Sequence, residues 1–196
     1  MAFKDLAEAI DSDKTGRDRL IAVYIGVLAV LLAVCGVGGG NAMKDATARN
    51  IEASNTWAFF QAKNIRRHEL RLQIAEFEVM LAGQPELSAA ARALIEDKLT
   101  KYRADEIRYT SEPDTGEGVE ELKVRARALE VQRDRAMVKD PYFDYGQALL
   151  QIAIVLASVA IITGGTILLV LSGILAGLGT LSTLNGFFLF FSGAFL

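Results

Sequence analysis

The chain has 196 residues, 52% of them hydrophobic, with 21 Lys plus Arg against 24 Asp plus Glu and a net charge of -3. This near balance gives no general case for nucleic-acid binding. Every charged side chain lies before residue 145, which excludes an ordinary water-soluble globule and points to lipid as the solvent of the C-terminal part.

Residues 1–19 read as a cytoplasmic tail. Phe3, Leu6, Ala7 and Ile10 make a short amphipathic helix suited to a membrane surface, followed by a polar linker from Asp11 to Arg19. Residues 20–40 form the first apolar run, preceded by Lys14, Arg17 and Arg19. The run is longer than a signal-peptide core of about 7–15 residues and shows no clean small-x-small cleavage site, so it reads as a retained transmembrane helix. Along it Ala22, Gly26, Ala29, Ala33, Gly36 and Gly40 recur at spacings of 4, 3, 4, 3 and 4, a heptad seam built from small residues. Lipid tails are as apolar as leucine, so spans associate through close backbone approach, which small residues permit. Cys35 has no partner for an internal disulfide and reads as a small packing residue. Gly36-Val-Gly-Gly-Gly40 lacks the Gly-Lys-Ser/Thr ending of a phosphate loop and reads as a flexible exit from the bilayer.

Residues 41–144 carry most of the charge and no strand-like alternation, so they are expected to be an extramembrane α-helical stalk. A first helix runs from Asn41 to Ala82, with Ile51, Ala58, Ile65, Leu72 and Val79 every seven residues and Leu70, Ile74, Phe77 and Leu81 widening the apolar face. Gly83-Gln-Pro85 stops it. Ser88 is the N-cap of a second helix to about Tyr109, with Ala91, Ile95, Leu99 and Tyr102 on one side. After the turn-rich Ser111–Gly116 stretch, a third helix to Lys139 aligns Leu122, Leu129 and Ala136 beside Val119 and Ala126, and Pro141 marks a break. By helical rise the first of these helices is about 63 Å long and the others about 33 Å each, which suggests a long helical hairpin or coiled coil with a broken return limb. The alternative is a compact three-helix bundle bent near Ser54-Asn55-Thr56.

An uninterrupted helix over the uncharged tail would exceed twice the roughly 30 Å hydrocarbon core, so it must fold back. Thr163-Gly164-Gly165-Thr166 is the turn, because paired glycines accept left-handed backbone angles. This gives a second span at 145–162, a turn at 163–166, a third span at 167–191 and a short end at 192–196. Tyr142, Phe143 and Tyr145 suit the interface where the second span enters. The third contains Gly173-Ile-Leu-Ala-Gly177, a further helix-packing candidate, and Asn185, expected to bond to a neighbouring helix. The fold expected is therefore an all-α membrane protein of three transmembrane helices, with a long helical hairpin or coiled-coil extramembrane domain between the first and second. Lys4, Lys14, Arg17 and Arg19 favour a cytoplasmic N-terminus, which places 41–144 outside.

No constellation for chemistry stands out. His68 is the single histidine and has no cysteine near it in the charged segment, and no Gly-x-Ser-x-Gly elbow is present. The expectation is a protein that is not an enzyme, with no catalytic, cofactor-binding or metal-binding residue. Trp57, Phe60, Lys63, Arg66, Arg67 and Arg71 join aromatics to cations and form an interaction-patch candidate, with aromatic packing and pairing to glutamates of the return limb as the plainer reading.

The stretches Trp57-Ala-Phe-Phe-Gln-Ala-Lys63, Ala148 to Ile161 and Leu184-Asn-Gly-Phe-Phe188 resemble, in that order, a family of uncharacterised bacterial three-span membrane proteins known only as a domain of unknown function. The resemblance implies three spans; with the orientation favoured by the N-terminal basic residues, the expectation is a multi-pass protein of the bacterial inner membrane with 41–144 periplasmic or extracytoplasmic. It implies no functional residue. Basic residues expected at the last hairpin turn are absent from Thr163-Gly-Gly-Thr166. The expected role is a homo-oligomeric scaffold or docking surface in contact with membrane lipid and not with nucleic acid, its protein partner unknown. A pore or transport protein and an accessory subunit of a larger membrane complex are the alternatives.

Overall fold

The computed structural model describes residues 2–191, with side chains from residue 16 onward. Among these residues are four α-helices and no strand: α1 (Ala2–Gly83), α2 (Ala89–Thr110), α3 (Val119–Thr163) and α4 (Thr166–Phe188). Three of them, α1, α3 and α4, are long and apolar enough to cross a membrane. The side chains of Phe3, Leu6, Ala7 and Ile10, and all of residues 192–196, lie outside the described set.

The helix ends obey local chemistry. Ser88 caps α2 by accepting a hydrogen bond from Ala91 N at 3.2 Å. Glu121, in the first turn of α3, reaches back to accept from Ser111 Oγ at 2.5 Å and from Glu112 N at 3.1 Å, which ties the preceding loop to the start of the helix. These bonds, to Ser111 first and then to Glu112, hold its carboxyl below the usual range. Between α3 and α4 only Gly164 and Gly165 are non-helical, and Gly164 has φ +68°, which a β-carbon would oppose.

Three expectations are corrected. Pro141 does not end a helix but lies inside α3. Proline lacks an N–H and so leaves the Met137 carbonyl without its helical donor, yet the turn it enters is braced from other helices. Ser182 Oγ donates to the Tyr142 carbonyl at 2.7 Å and Cys35 Sγ to the Phe143 carbonyl at 3.2 Å. Gly36-Val-Gly-Gly-Gly40 is not a flexible exit, because it is helical throughout, with a β-carbon at Gly39 meeting Phe143 Cβ at 3.1 Å. The last helix ends at Phe188 and not at 191, because Leu189 takes the left-handed conformation at φ 52°.

The chain divides into two compact units, Met1–Ala46 with Asp134–Leu196, and Thr47–Arg133. In the second unit α1 runs antiparallel to α2 and, nearer its start, to α3. Phe77 stacks on Tyr102 with centroids 5.9 Å apart, and Arg71 pairs with Glu106 at 2.7 Å. Lower on α1, Trp57 Nε1 donates to Glu130 at 2.9 Å and Asn50 accepts from Arg133 at 3.3 Å. Ala53, Ile95, Leu99, Val119, Leu122, Ala126 and Leu129 are buried.

In the first unit, small residues let three helices close on one another. Gly146, Leu150, Ala153, Ala157 and Ala160 of α3 are buried, as are Ser172, Ala176, Gly179 and Thr183 of α4. On α1 the buried line is Ile21, Leu28, Cys35 and Ala42, every seven residues. A β-carbon on Gly146 would lie 2.6 Å from Thr183 Oγ1, 3.1 Å from the Gly179 carbonyl and 3.2 Å from Cys35 Sγ, so α3 meets both neighbours at one glycine.

Candidate functional site

Several polar groups inside the first unit join one helix to another. Ser172 Oγ, fully buried, donates to the Ala153 carbonyl at 2.6 Å and therefore accepts from Tyr24 OH at 3.1 Å, so one relay links α1, α4 and α3. Apolar surroundings offer these hydroxyls no water, which is why each finds a protein acceptor. Asn185, expected to bond to another helix, instead turns to its own chain. It accepts from Phe191 N at 2.9 Å and donates to the Phe191 carbonyl at 3.2 Å, which Tyr142 OH also reaches at 2.7 Å. The left-handed Leu189 makes that return possible, since the chain must reverse within the reach of one amide.

The helix-packing candidates lie elsewhere. Ala22, Gly26, Ala29, Ala33 and Gly36, together with Gly40, are exposed, on the side of α1 away from its buried line. Gly173 and Gly177 are exposed too, and a β-carbon at Gly26, Gly36, Gly40, Gly173 or Gly177 would meet nothing within 4 Å. The chain's own helices therefore leave both small-residue seams uncovered. They pack instead through the buried small residues of α3 and α4. Those have the same alternation of three and four, legible in the sequence by the same spacing rule and missed there.

A family model for a domain of unknown function (DUF4337) matches residues 17–189. The chain belongs to that family. The match opens on Arg17 and closes on Leu189, so it contains the whole buried junction of the first unit and all of the second. No curated protein and no solved structure matches the chain.

Within the DUF4337 region the interaction-patch candidates separate. Lys63 is buried, its Nζ 3.5 Å from Glu112 and 3.7 Å from Glu117, and over the rings of Phe59 at 5.5 Å and Tyr109 at 5.4 Å. A buried ammonium needs such company, and this one ties α1 to the segment joining α2 and α3. Trp57 packs edge-on against Phe60 at 5.2 Å while bonding to Glu130. Arg67 holds Asn64 at 2.7 Å and Arg71 holds Glu106. Arg66 is exposed and has no partner among the described residues. Of the six, Trp57, Lys63 and Arg71 bond to other segments, Phe60 and Arg67 contact neighbours on α1, and Arg66 stands apart.

The seven-residue line also faces outward. Ile51, Ile65, Leu72 and Val79 are 56–72% exposed, and Ala58 between them is exposed as well. Leu70, Ile74, Phe77 and Leu81 are half-buried on the opposite side, so they belong to a second face and do not widen the first. Helical periodicity shows the two stripes but gives neither a direction. Val23, Val30 and Val37, whole heptads before Ile51, are 62–64% exposed in the first unit. His68 is exposed, and among the described residues no group of three or more His, Cys, Asp or Glu is placed to hold a metal ion.

Proposed function

We propose that this chain is a non-enzymatic, homo-oligomeric membrane protein whose residues 41–144 form a helical hairpin used as a scaffold or docking surface. In this reading 20–40, 145–162 and 167–188 cross a bacterial inner membrane. The N-terminus is then cytoplasmic and the hairpin extracytoplasmic.

The observation that carries the reading is the exposed line Ile51, Ala58, Ile65, Leu72, Val79. Aliphatic residues repeated every seven positions drift by about 20° per heptad on a straight helix. They keep facing one partner only if that partner is a helix around which they supercoil. The chain's own helices in this unit lie against the other side of α1, so the matching partner is α1 of a second copy. Copies inserted in one membrane share an orientation, which makes the pairing parallel. In that register Ile65 and Leu72 of one copy face Ile65 and Leu72 of the other.

Area decides how much this stripe can do alone. A strip from 51 to 79 is about 43 Å long and about 10 Å wide, or roughly 430 Å² per protomer, against about 800 Å² for a stable partner surface. The small-residue seam of the first span, with Gly26, Ala33 and Gly40, is a separate surface for association between copies in lipid. A cysteine in place of Ile65 tests the proposal in full-length protein reconstituted in lipid. Mild oxidation is expected to join two copies through that position, while Ile74→Cys, on the inward face, stays unjoined. Monomers in native mass spectrometry together with no Ile65→Cys dimer would overturn it.

A further inference from the structure

Arg17 stands at the head of an apolar groove between α1 and α4, with a volume of about 360 Å³, lined by Leu20, Ile21, Tyr24, Leu169 and Gly173. The lining residues of α1 recur at 17, 20, 21 and 24 and those of α4 one turn apart, so the groove runs along both helices for about 10 Å. Its floor is open at Gly173, where no neighbour lies within 4 Å of a β-carbon position. The charged end is anchored. Arg17 Nη1 donates to the Gly164 carbonyl at 3.2 Å and Nε lies 3.7 Å from Asp18 Oδ1, while Nη2 has no hydrogen bond among the described residues. The guanidinium is thereby held beside the α3–α4 turn with donors to spare. The start of α4, which no side chain caps, adds partial positive charge at the same end.

A cation fixed at one end of an apolar channel matches one kind of occupant: a molecule with an anion at one end and a hydrocarbon chain at the other. We infer that this groove binds an anionic phospholipid, its phosphate on Arg17 and the upper part of one acyl chain along Leu20, Ile21, Leu169 and Gly173. This rests on the reading that α1 and α4 cross a bilayer, with Arg17 and the Gly164 turn at its edge. A soluble anion would gain nothing from the apolar lining, and a zwitterionic lipid would bring a second cation to the guanidinium.

The test uses the full-length protein, first floated with vesicles of phosphatidylcholine alone and then exchanged against phosphatidylglycerol of the same acyl chains, with retained lipid counted by native mass spectrometry. Phosphatidylglycerol is expected to be retained about fivefold over phosphatidylcholine, the factor one interfacial cation confers. Arg17→Gln is expected to abolish the preference, and Arg19→Gln, an exposed cation outside the groove, to keep it. Helix content by circular dichroism checks that both variants fold. Equal retention of the two lipids, or equal loss in both variants, overturns the site and leaves a protein that attracts anionic lipid generally or not at all. Failure to float with either vesicle overturns the membrane reading itself, a separate outcome.

Discussion

Gly146 offers the sharpest perturbation of the three-helix junction. A methyl group there meets Thr183 Oγ1 at 2.6 Å, closer than real contacts allow, and the Gly179 carbonyl and Cys35 Sγ at 3.1 and 3.2 Å. Thr183 cannot simply rotate away, because its Oγ1 donates to the Gly179 carbonyl at 2.8 Å. Overpacking by one carbon costs about 1–3 kcal/mol. Loss of the Thr183 bond in these apolar surroundings adds about 0.6 kcal/mol. The helical preference of alanine over glycine returns up to about 1 kcal/mol. The steric cost wins, and Gly146→Ala is expected to destabilise the first unit by roughly 2 kcal/mol. Gly16, where a β-carbon meets nothing within 4 Å, is the matched control, and there alanine should be neutral or stabilising. Cys35 supplies the assay, since it is the one cysteine and is fully buried. Its rate of modification by a maleimide in detergent should rise roughly 30-fold in Gly146→Ala, the factor that about 2 kcal/mol of easier opening gives. Adding Thr183→Ala removes the closest obstacle and should recover most of the loss. Equal thiol protection in Gly146→Ala and Gly16→Ala would refute the reasoning, as would a double variant no better than the single one.

Three further outcomes concern the polar contacts of the two units. Lys63→Ala removes the ammonium from between Glu112 and Glu117 and should lower the stability of the second unit by about 1–2 kcal/mol. This is less than for a fully buried pair, because both glutamates keep some water. Trp57 fluorescence during urea unfolding reads it, and an unchanged midpoint would show these ion pairs to be inert. Glu121 has a folded pKa held below 4.5, so its bonds to Ser111 and Glu112 stabilise the fold above pH 4.5 and are lost as pH falls through the lower folded value. Glu121→Gln should flatten that part of the acid-unfolding curve, and an identical curve would count against these bonds. Ser172→Ala breaks the relay from Tyr24 to the Ala153 carbonyl and should cost about 1 kcal/mol, with Tyr24→Phe costing less. Cys35 protection again measures both, and the reverse order would show that Tyr24, not Ser172, joins the helices.

Much of the architecture was legible from residue types in order. The uncharged stretch after Asp144 implies lipid, and its length forces a reversal. Gly164-Gly165 is the place where the backbone can reverse at least cost, and the helices part there. Ser88 and the apolar positions of α2 and α3 were equally readable, because a cap and a buried stripe are local patterns. Pro141 was misleading for a physical reason. Proline removes a donor, but a helix already held by α1 and α4 tolerates the gap, and that support comes from residues far along the chain.

The amino-acid sequence by itself determined where apolar and charged segments lie, where the chain turns, and which positions share a face of each helix, since these depend on neighbours within about a turn. Only the tertiary structure decided which of two opposite faces is covered. It sent Leu70 and Phe77 inward and left Ile51 and Ile65 out, buried Lys63 among its glutamates, and turned Asn185 back on Phe191. Periodicity is symmetric about the helix axis. A face becomes the inside only when another helix comes to lie on it.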